Sequence, residues 1–363
     1  MMTVNILGVP HAYEMTAPTA SPRVLVFVHG WLMSRGYWQP LVDRLSPQYQ
    51  CLTYDLRGFG LSHASALDED LSQVNLQTPL AGETITPQPV TPQLIKLPRE
   101  QGVAVASSAE SEPALAKRVA LNGGGARGGK GFTTALEAPA VASNSLWNQG
   151  GTSYTPAAYG RDLTILLQQL GITQAWLVGH SLGGTIALWA AHQLPERVEG
   201  VICVNSGGGI YLKEEFEKFR MAGQQLLKMR PRWLCQLPLI DLLFTRASVA
   251  QPIARCWGRQ RLLDFVMAHP EAALGSLLDS TTEAEVHQMP QLVAQLQQPA
   301  YFIAGAQDPI MEPKYVRHLA SFHPLFQTCG DNVIEVPNCG HLSMVEQPDV
   351  VAAHLQKILD RHT

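Results

Sequence analysis

The sequence predicts an α/β protein with a mostly parallel sheet, flanking helices and a helical lid. Short apolar runs rich in β-branched residues are typical of strands that are buried on both faces of a parallel sheet. Such runs occupy residues 24–28, 51–54, 175–178, 201–204 and 301–305. Residues 159–170 instead show apolar residues at helical spacing and end at Gly171, a common helix stop. With 363 residues and 46% hydrophobic content, the chain can bury a substantial core.

Composition divides the chain into three parts. Residues 1–62, 153–206 and 297–363 contain the strand-like runs and are predicted to form the core. Residues 63–152 are predicted to be a mostly disordered insertion, because recurrent prolines and a glycine-rich run leave too little apolar content to offset chain entropy. Residues 207–296 carry several helix-like stretches and no clear strand pattern, which predicts a helical lid.

The pentapeptide Gly179-His180-Ser181-Leu182-Gly183 is the most informative motif of the chain. An apolar strand-like run precedes it and a helix-compatible run follows it, and this context is typical of a nucleophile elbow. Such an elbow lifts a serine hydroxyl out of the end of a strand, and its glycines let neighbouring backbones pass closely. We therefore predict Ser181 as a catalytic nucleophile, with an ordinary glycine-rich turn as the alternative.

Two further residues follow in the chain order of nucleophile, acid and histidine. Asp308 comes after the apolar run 301–305, and His341 lies in Cys339-Gly340-His341-Leu342. A serine hydroxyl becomes a good nucleophile when a base removes its proton, so we predict His341 as the base and Asp308 as the acid that orients it. A turn or helix-cap role for Asp308 and a surface-loop role for His341 are the alternatives.

An oxyanion hole is also predicted. The strand-like run 24–28 ends in His29-Gly30-Trp31, a tight turn that would aim a backbone N–H. The backbone N–H groups of Trp31 and Leu182 are the predicted donors to the developing oxyanion. Preorganised donors of this kind contribute a few kcal/mol to the reduction of a barrier.

Taken together, these motifs resemble the α/β-hydrolase superfamily. They are His29-Gly30-Trp31, Asp55-Leu56-Arg57-Gly58-Phe59-Gly60, Gly179-His180-Ser181-Leu182-Gly183-Gly184, Asp308 and Gly340-His341. Within the superfamily, the pattern is similar to the single-domain esterases, lipases and C–C bond hydrolases with a lid. The resemblance covers residues 1–62 and 153–363 and implies an acyl-enzyme mechanism. A serine nucleophile argues against the haloalkane dehalogenase and epoxide hydrolase branches, which carry aspartate there.

The lid sequence indicates a substrate with an apolar part, because ligand pockets are usually apolar with a few polar groups. We predict that His29, Gly30, His180 and Trp233 contribute to the pocket. The predicted partner is a small-molecule carboxylic ester or thioester. Acyl transfer and C–C bond hydrolysis by the same triad are the alternative reactions. A ligand-binding or scaffold protein without turnover is the alternative of another class.

The lid is also basic, with ten Lys/Arg against five Asp/Glu between Lys213 and Asp264. Lys228, Arg230 and Arg232 lie beside Trp233 and an apolar stretch. Basic and aromatic residues next to apolar ones can dock at an anionic membrane surface. A solvated helix face and a peripheral membrane contact through the lid both stay open as interpretations.

Several functions are not expected. The net charge of −4 gives no indication of nucleic-acid binding. The six cysteines form no C-x-x-C pair, and no cofactor or metal is predicted. The run 124–130 superficially matches a phosphate loop, but Gly131 stands where serine or threonine is needed. Because we find no signal-peptide pattern and no apolar run of transmembrane length, a cytoplasmic location is expected.

Overall fold

The computed structural model describes residues 1–63, 153–207, 213–329 and 332–362. These residues belong to one compact unit around an eight-stranded sheet. The strands in chain order are β1 (Met2–Ile6), β2 (Val9–Met15), β3 (Val24–Val28), β4 (Gln50–Tyr54), β5 (Ala175–His180), β6 (Val198–Val204), β7 (Ala300–Gly305) and β8 (Val333–Val336). The predicted disordered insertion, residues 63–152, lies outside the described residues apart from His63.

The sheet is mostly parallel, as predicted. Its strand order is β1-β2-β4-β3-β5-β6-β7-β8, and only the pairs β1–β2 and β2–β4 among the described strands are antiparallel. In the register, Val28 pairs with both Tyr54 and Gly179, and Gly179 pairs with Cys203. Because parallel strands point the same way, the loops that follow β3, β5, β6, β7 and β8 emerge at one edge of the sheet.

Both faces of the sheet are covered by hydrophobic core, which explains why the strands are continuous apolar runs. Val24, Val26 and Val28 of β3 lie in one buried cluster, while Leu25 and Phe27 lie in the other. Successive side chains of a strand point to opposite faces, so a strand that is buried on both sides has no polar positions.

Helices cover the two faces and fill the predicted lid region. They are α1 (Gln39–Leu45), α2 (Pro156–Gln169), α3 (Leu182–Gln193), α4 (Lys213–Lys228), α5 (Asp241–Phe244), α6 (Arg255–Met267), α7 (Pro270–Ser280), α8 (Glu283–Gln295), α9 (Pro313–Ala320), α10 (Pro324–Cys329), α11 (Ser343–Glu346) and α12 (Pro348–Asp360). The described part of residues 207–296 contains α4 to α8, the 3₁₀ turn Arg232–Gln236 and no strand after β6. Of the helices in the described ranges, none has both the length and the apolar character to cross a bilayer.

The packing of β3 gives a testable expectation for stability. Phe27 is fully buried, and its ring centroid lies 5.1 Å from that of Trp38. Phe27→Ala should lower the free energy of unfolding by about 3–5 kcal/mol, because it removes buried apolar area and leaves a cavity. Val350→Ala on the surface of α12 should cost less than about 1 kcal/mol. Urea unfolding followed by circular dichroism measures both variants, and equal losses would contradict the packing described.

Candidate active site

Ser181 occupies a sharp turn between β5 and α3, with a backbone φ of 51° and ψ of −120°. Positive φ is uncommon outside glycine, and strained residues of this kind persist mainly at functional sites. Gly183 has no room for a side chain, because a Cβ there would lie 2.2 Å from the carbonyl oxygen of Val28 and 2.5 Å from that of His29. The glycine therefore lets the start of α3 pack against the end of β3.

The turn after β3 lies directly beside this serine. A Cβ at Gly30 would lie 3.2 Å from the Cβ of Ser181 and 2.7 Å from Nδ1 of His180, so the close approach requires glycine. Trp31 and Leu182, the predicted oxyanion donors, line the same cavity as Ser181. The backbone N–H of Leu182 belongs to the first turn of α3, where N–H groups have no acceptor within the helix. The structure thus brings both residues to the serine.

Asp308 and His341 are joined by a hydrogen bond of 2.7 Å between Oδ2 and Nδ1. Both side chains are buried. The second oxygen of Asp308 accepts the backbone N–H groups of Ile310 and Met311 at 2.8 and 2.9 Å. Burial opposes ionisation of Asp308, but His341 and these N–H donors outweigh it and hold the pKa of the carboxyl below its ordinary value. Asp308 is therefore a carboxylate at neutral pH and can orient the imidazole.

Asn205, at the end of β6, holds this pair in place and was not identified from the sequence. Its Nδ2 donates to Asp308 Oδ2 at 2.9 Å and to the carbonyl of Gly340 at 3.0 Å. Its Oδ1 accepts the hydroxyl of Ser343 at 2.5 Å. The residue is fully buried with a φ of 50°, a conformation that asparagine tolerates better than most residues. Asparagine directly after an apolar strand was the only signal available in the sequence.

The loop that carries His341 is also attached to the lid region. The backbone N–H of His341 donates to the carbonyl of Ser248 at 2.8 Å. Glu346 accepts the N–H of Gly340 at 2.9 Å and that of Ala250 at 2.8 Å through the same carboxylate oxygen. These bonds connect the segment before α6 to the loop of the candidate base, so the two cannot move independently.

Ser181, His341, Trp31 and Leu182 share the wall of one cavity of about 460 Å³. Most of the remaining wall is apolar and comes from the turn after β3, from the helices of the lid region and from the segment after β7. The full set of remaining lining residues, apolar and polar, is Leu32, Met33, Tyr37, His180, Thr185, Ser206, Phe219, Leu226, Leu243, Phe244, Ala247, Ser248, Arg261, Phe265, Leu277, Ser280, Thr281, Ile310, Met311 and Leu342. Within the described ranges, no three His, Cys, Asp or Glu side chains are placed to hold a metal ion.

Three of the four predicted pocket residues are absent from this wall, which corrects their assignment. His29 is fully buried behind it: Nδ1 donates to the carbonyl of Gly30 at 2.8 Å, and Nε2 accepts the N–H of Leu56 at 2.9 Å. Burial lowers the pKa of His29, in keeping with a neutral structural ring. Gly30 contributes close backbone packing instead, and Trp233 is 57% exposed on the outside of the lid region.

His180 lines the cavity. Its Nε2 lies 2.7 Å from the carbonyl oxygen of His341 and donates a hydrogen bond to it. Burial, followed by the neighbouring His341, lowers the pKa of His180 to about 3. The ring is therefore neutral and supports the backbone of the candidate base.

Comparison with known proteins identifies the family. The family model described as alpha/beta hydrolase fold matches residues 23–348. A pimeloyl-acyl-carrier protein methyl ester esterase of Aliivibrio salmonicida is 45% identical over 58 residues, which cover 15% of this chain and 22% of that protein. The chain thus spans about a fifth of the length of this relative.

Two similarities that cover more of the chain also indicate this family. A 2-succinyl-6-hydroxy-2,4-cyclohexadiene-1-carboxylate synthase of Serratia proteamaculans is 30% identical over 204 residues, which cover 54% of this chain and 72% of that protein. The structure of an esterase from Thermogutta terrifontis superposes with a TM-score of 0.60 at 19% identity and 99% coverage of both chains. Because the family model spans most of the sequence and the synthase is matched over more than two thirds of its length, the chain belongs to the α/β-hydrolase family, as the resemblance predicted.

Proposed function

We propose that the protein is a serine hydrolase that cleaves a carboxylic ester or thioester with an apolar part through an acyl-enzyme on Ser181. The observation that supports this most directly is geometric. A serine with left-handed backbone lies on the wall of an apolar cavity, and so does a histidine whose Nδ1 is 2.7 Å from a buried carboxylate. A purely structural arrangement would have no need to present both groups to an open cavity.

The hydrogen bonds assign a role to each nitrogen of His341. Nδ1 donates to Asp308, which leaves Nε2 as the atom that accepts the proton of Ser181. The serine oxygen then attacks the carbonyl carbon, and the protonated imidazole later gives this proton to the leaving alcohol or thiol. Water attacks the acyl-enzyme in the second half of the reaction, with His341 again taking and returning a proton. Asp308 stabilises the imidazolium in both halves.

The oxyanion of each tetrahedral intermediate would be held by the backbone N–H groups of Trp31 and Leu182. One follows the tight turn after β3, and the other begins α3. Gly30 and Gly183 make the close approach of these two turns feasible, because neither position has room for a side chain. Donors fixed in this way need no reorganisation when negative charge develops on the substrate oxygen.

The cavity supports a substrate of modest size with an apolar portion. Its volume of about 460 Å³ falls within the range usual for small-molecule sites. Phe219, Leu226, Leu243 and Phe265 of the lid region line it, so the apolar part of the substrate would lie under the lid. Acyl transfer and C–C bond hydrolysis by the same three side chains are the alternative reactions.

We also propose that the outside of the lid region contacts an anionic lipid surface. Four apolar residues, which we term the lid patch, are 57–64% exposed and do not line the cavity, namely Met221, Met229, Trp233 and Leu239. Lys228 is exposed beside the patch. Arg230 contributes less than its position in the sequence suggests, because its Nη1 donates to the carbonyls of Phe265 and Ala268 at 3.2 and 2.6 Å.

The first prediction concerns the nucleophile. An active-site fluorophosphonate should label the protein at Ser181, and Ser181→Ala should lose both labelling and ester turnover with little change in melting temperature. Ser248 is a matched control, because it lines the same cavity and also has positive φ. Ser248→Ala should still be labelled, as intact-mass spectrometry would show. Labelling that survives in Ser181→Ala would contradict the proposal, and a wild-type protein without labelling would favour a ligand-binding homologue.

The second prediction concerns Asn205, which acts as a positioning residue through Asp308. Asn205→Asp keeps shape and tolerance of positive φ but places a second carboxylate beside Asp308. The value of kcat should fall by roughly 10-fold or more with little change in KM. The acidic limb of the pH–rate profile should move to higher pH, because extra negative charge favours the protonated imidazole. Asn338→Asp, with a φ of 52° on the surface, is the matched control and should change neither quantity. An unmoved profile in Asn205→Asp would contradict the role.

The third prediction concerns the lid patch. The protein should sediment with vesicles that contain phosphatidylglycerol and less with pure phosphatidylcholine, and high salt should release it because exposed charges are then screened. Trp233→Ser should weaken sedimentation by roughly 10-fold, since it removes apolar area that would enter the lipid. Phe322→Ser, also exposed but outside the lid region, serves as the control. Equal sedimentation with both kinds of vesicle would contradict a lipid contact.

A further inference from the structure

Arg261 is a charged side chain in the wall of the apolar cavity that contains Ser181. It extends from α6 and is the one Lys, Arg, Asp or Glu among the residues found to line the cavity. Its Nη1 donates to the carbonyls of Phe244 and Ala247 at 2.6 and 2.5 Å. These two bonds fix the guanidinium against the turn after α5, so its position does not depend on a ligand.

No carboxylate in the described part of the chain lies within ion-pair distance of Arg261. Glu346 is the carboxylate that interacts electrostatically with Arg261, but it does not pair with the guanidinium. Its carboxylate oxygen instead accepts the backbone N–H groups of Gly340 and Ala250. Asp264, one turn further along α6, is bonded to the Ser34 hydroxyl at 2.9 Å instead. The positive charge of Arg261 is therefore not neutralised by the described residues around it.

Arg261 is partly buried. A charge that is partly removed from water and has no charged partner is unfavourable, and proteins usually pair such groups. Burial lowers the pKa of Arg261, yet a guanidinium stays protonated at neutral pH. An apolar cavity with one fixed, unneutralised cation is a poor site for a purely apolar substrate. It is a good site for a molecule that combines an apolar chain with an anionic group.

The hydrogen bonds that Arg261 already makes indicate which anion fits. Both protons of Nη1 are engaged by carbonyls, which leaves Nε–H and an N–H of Nη2. These two groups are parallel and lie in the plane of the guanidinium, which matches the two oxygens of a carboxylate. We propose that Arg261 binds a carboxylate remote from the scissile bond, so that the substrate is a half-ester or half-thioester of a dicarboxylic acid with an apolar spacer.

This inference rests on the proposed function, because the reacting carbonyl must reach Ser181 while the remote carboxylate reaches Arg261. It adds a specificity determinant to that function. With the carboxylate fixed at Arg261, only acyl chains of suitable length place their ester at the serine. Neutral esters have no carboxylate to bind Arg261, so their ester group would not be positioned at the serine in this way.

Turnover measures the preference directly. The substrates are 4-nitrophenyl half-esters of straight-chain dicarboxylic acids and the 4-nitrophenyl esters of monocarboxylic acids with the same number of carbons. The wild type should have a higher kcat/KM for the half-ester at one chain length, mainly through KM. Arg261→Gln, which keeps donors for the carbonyls but removes the charge, should lower the ratio of half-ester to neutral-ester kcat/KM by about 10- to 100-fold. Arg261→Lys keeps the positive charge but loses the two parallel N–H donors. Its ratio of half-ester to neutral-ester kcat/KM should lie between those of the wild type and Arg261→Gln.

Arg259 provides the matched control, since it lies on the same helix but is exposed and does not line the cavity. Arg259→Gln should leave the ratio of the two substrates at the wild-type value. If Arg261→Gln lowers kcat/KM for both substrates by the same factor, the arginine only anchors the lid region and the proposal fails. A wild type that prefers the neutral ester at every chain length would likewise overturn the proposal.

Measurements of binding affinity test the carboxylate site independently of the proposed hydrolysis. Calorimetry on Ser181→Ala with methyl half-esters should show tighter binding than with the matching neutral methyl esters, and Ser181→Ala/Arg261→Gln should lose the difference. If binding shows the preference but the wild type neither turns over esters nor reacts with fluorophosphonate, the hydrolysis proposal fails and the carboxylate site stands. If labelling and turnover are present without any preference in binding, the carboxylate site fails alone.

Discussion

The hydrogen bond between His341 Nδ1 and Asp308 Oδ2 is the interaction on which the arrangement of the site depends. It joins two loops from different strands, and each partner needs the other to be stable where it is. A buried carboxylate without a donor would take up a proton, and a buried imidazole without an acceptor could adopt either tautomer. Asn205 from a third strand adds a donor to the same carboxylate oxygen. Three neighbouring strand ends thus converge on one charge, and the register of the parallel sheet brings them there.

The same loop couples the core to the lid region. Glu346 accepts the N–H of Gly340, which precedes His341, and the N–H of Ala250, so one carboxylate holds the base loop and the segment before α6 together. The attachment lies next to the candidate base, and Arg261 of the following helix α6 lines the cavity.

Much of the fold could be predicted from the sequence, and so could the pairing of Asp308 with His341 near Ser181, whereas the wall of the cavity could not. Strands buried on both faces appear as apolar runs, and the glycine at Gly183 is part of a motif that can be identified in the sequence, although the carbonyl oxygens that require it belong to Val28 and His29. Asn205 was missed because its role exists only once β6 and β7 lie side by side. His29 was misassigned because nearness to a motif does not reveal that both ring nitrogens bind the backbone. The sequence also cannot show that Arg261, rather than Arg259 on the same helix, reaches the cavity.

Charged side chains that are buried or partly buried in this protein differ in their partners, and the partners indicate their roles. Asp308 has a cationic partner when His341 is protonated, and its pKa lies below the ordinary value even though burial opposes this. Asp264 has neutral partners in Ser34 and Gln260, and burial raises its pKa to about 7, as expected of a group that joins α6 to the turn after β3 structurally. Arg261 differs from both, because it is charged at neutral pH and no described carboxylate pairs with it. A charge of this kind at the wall of an apolar cavity is best neutralised by the ligand, and the carboxylate of the proposed substrate would do so.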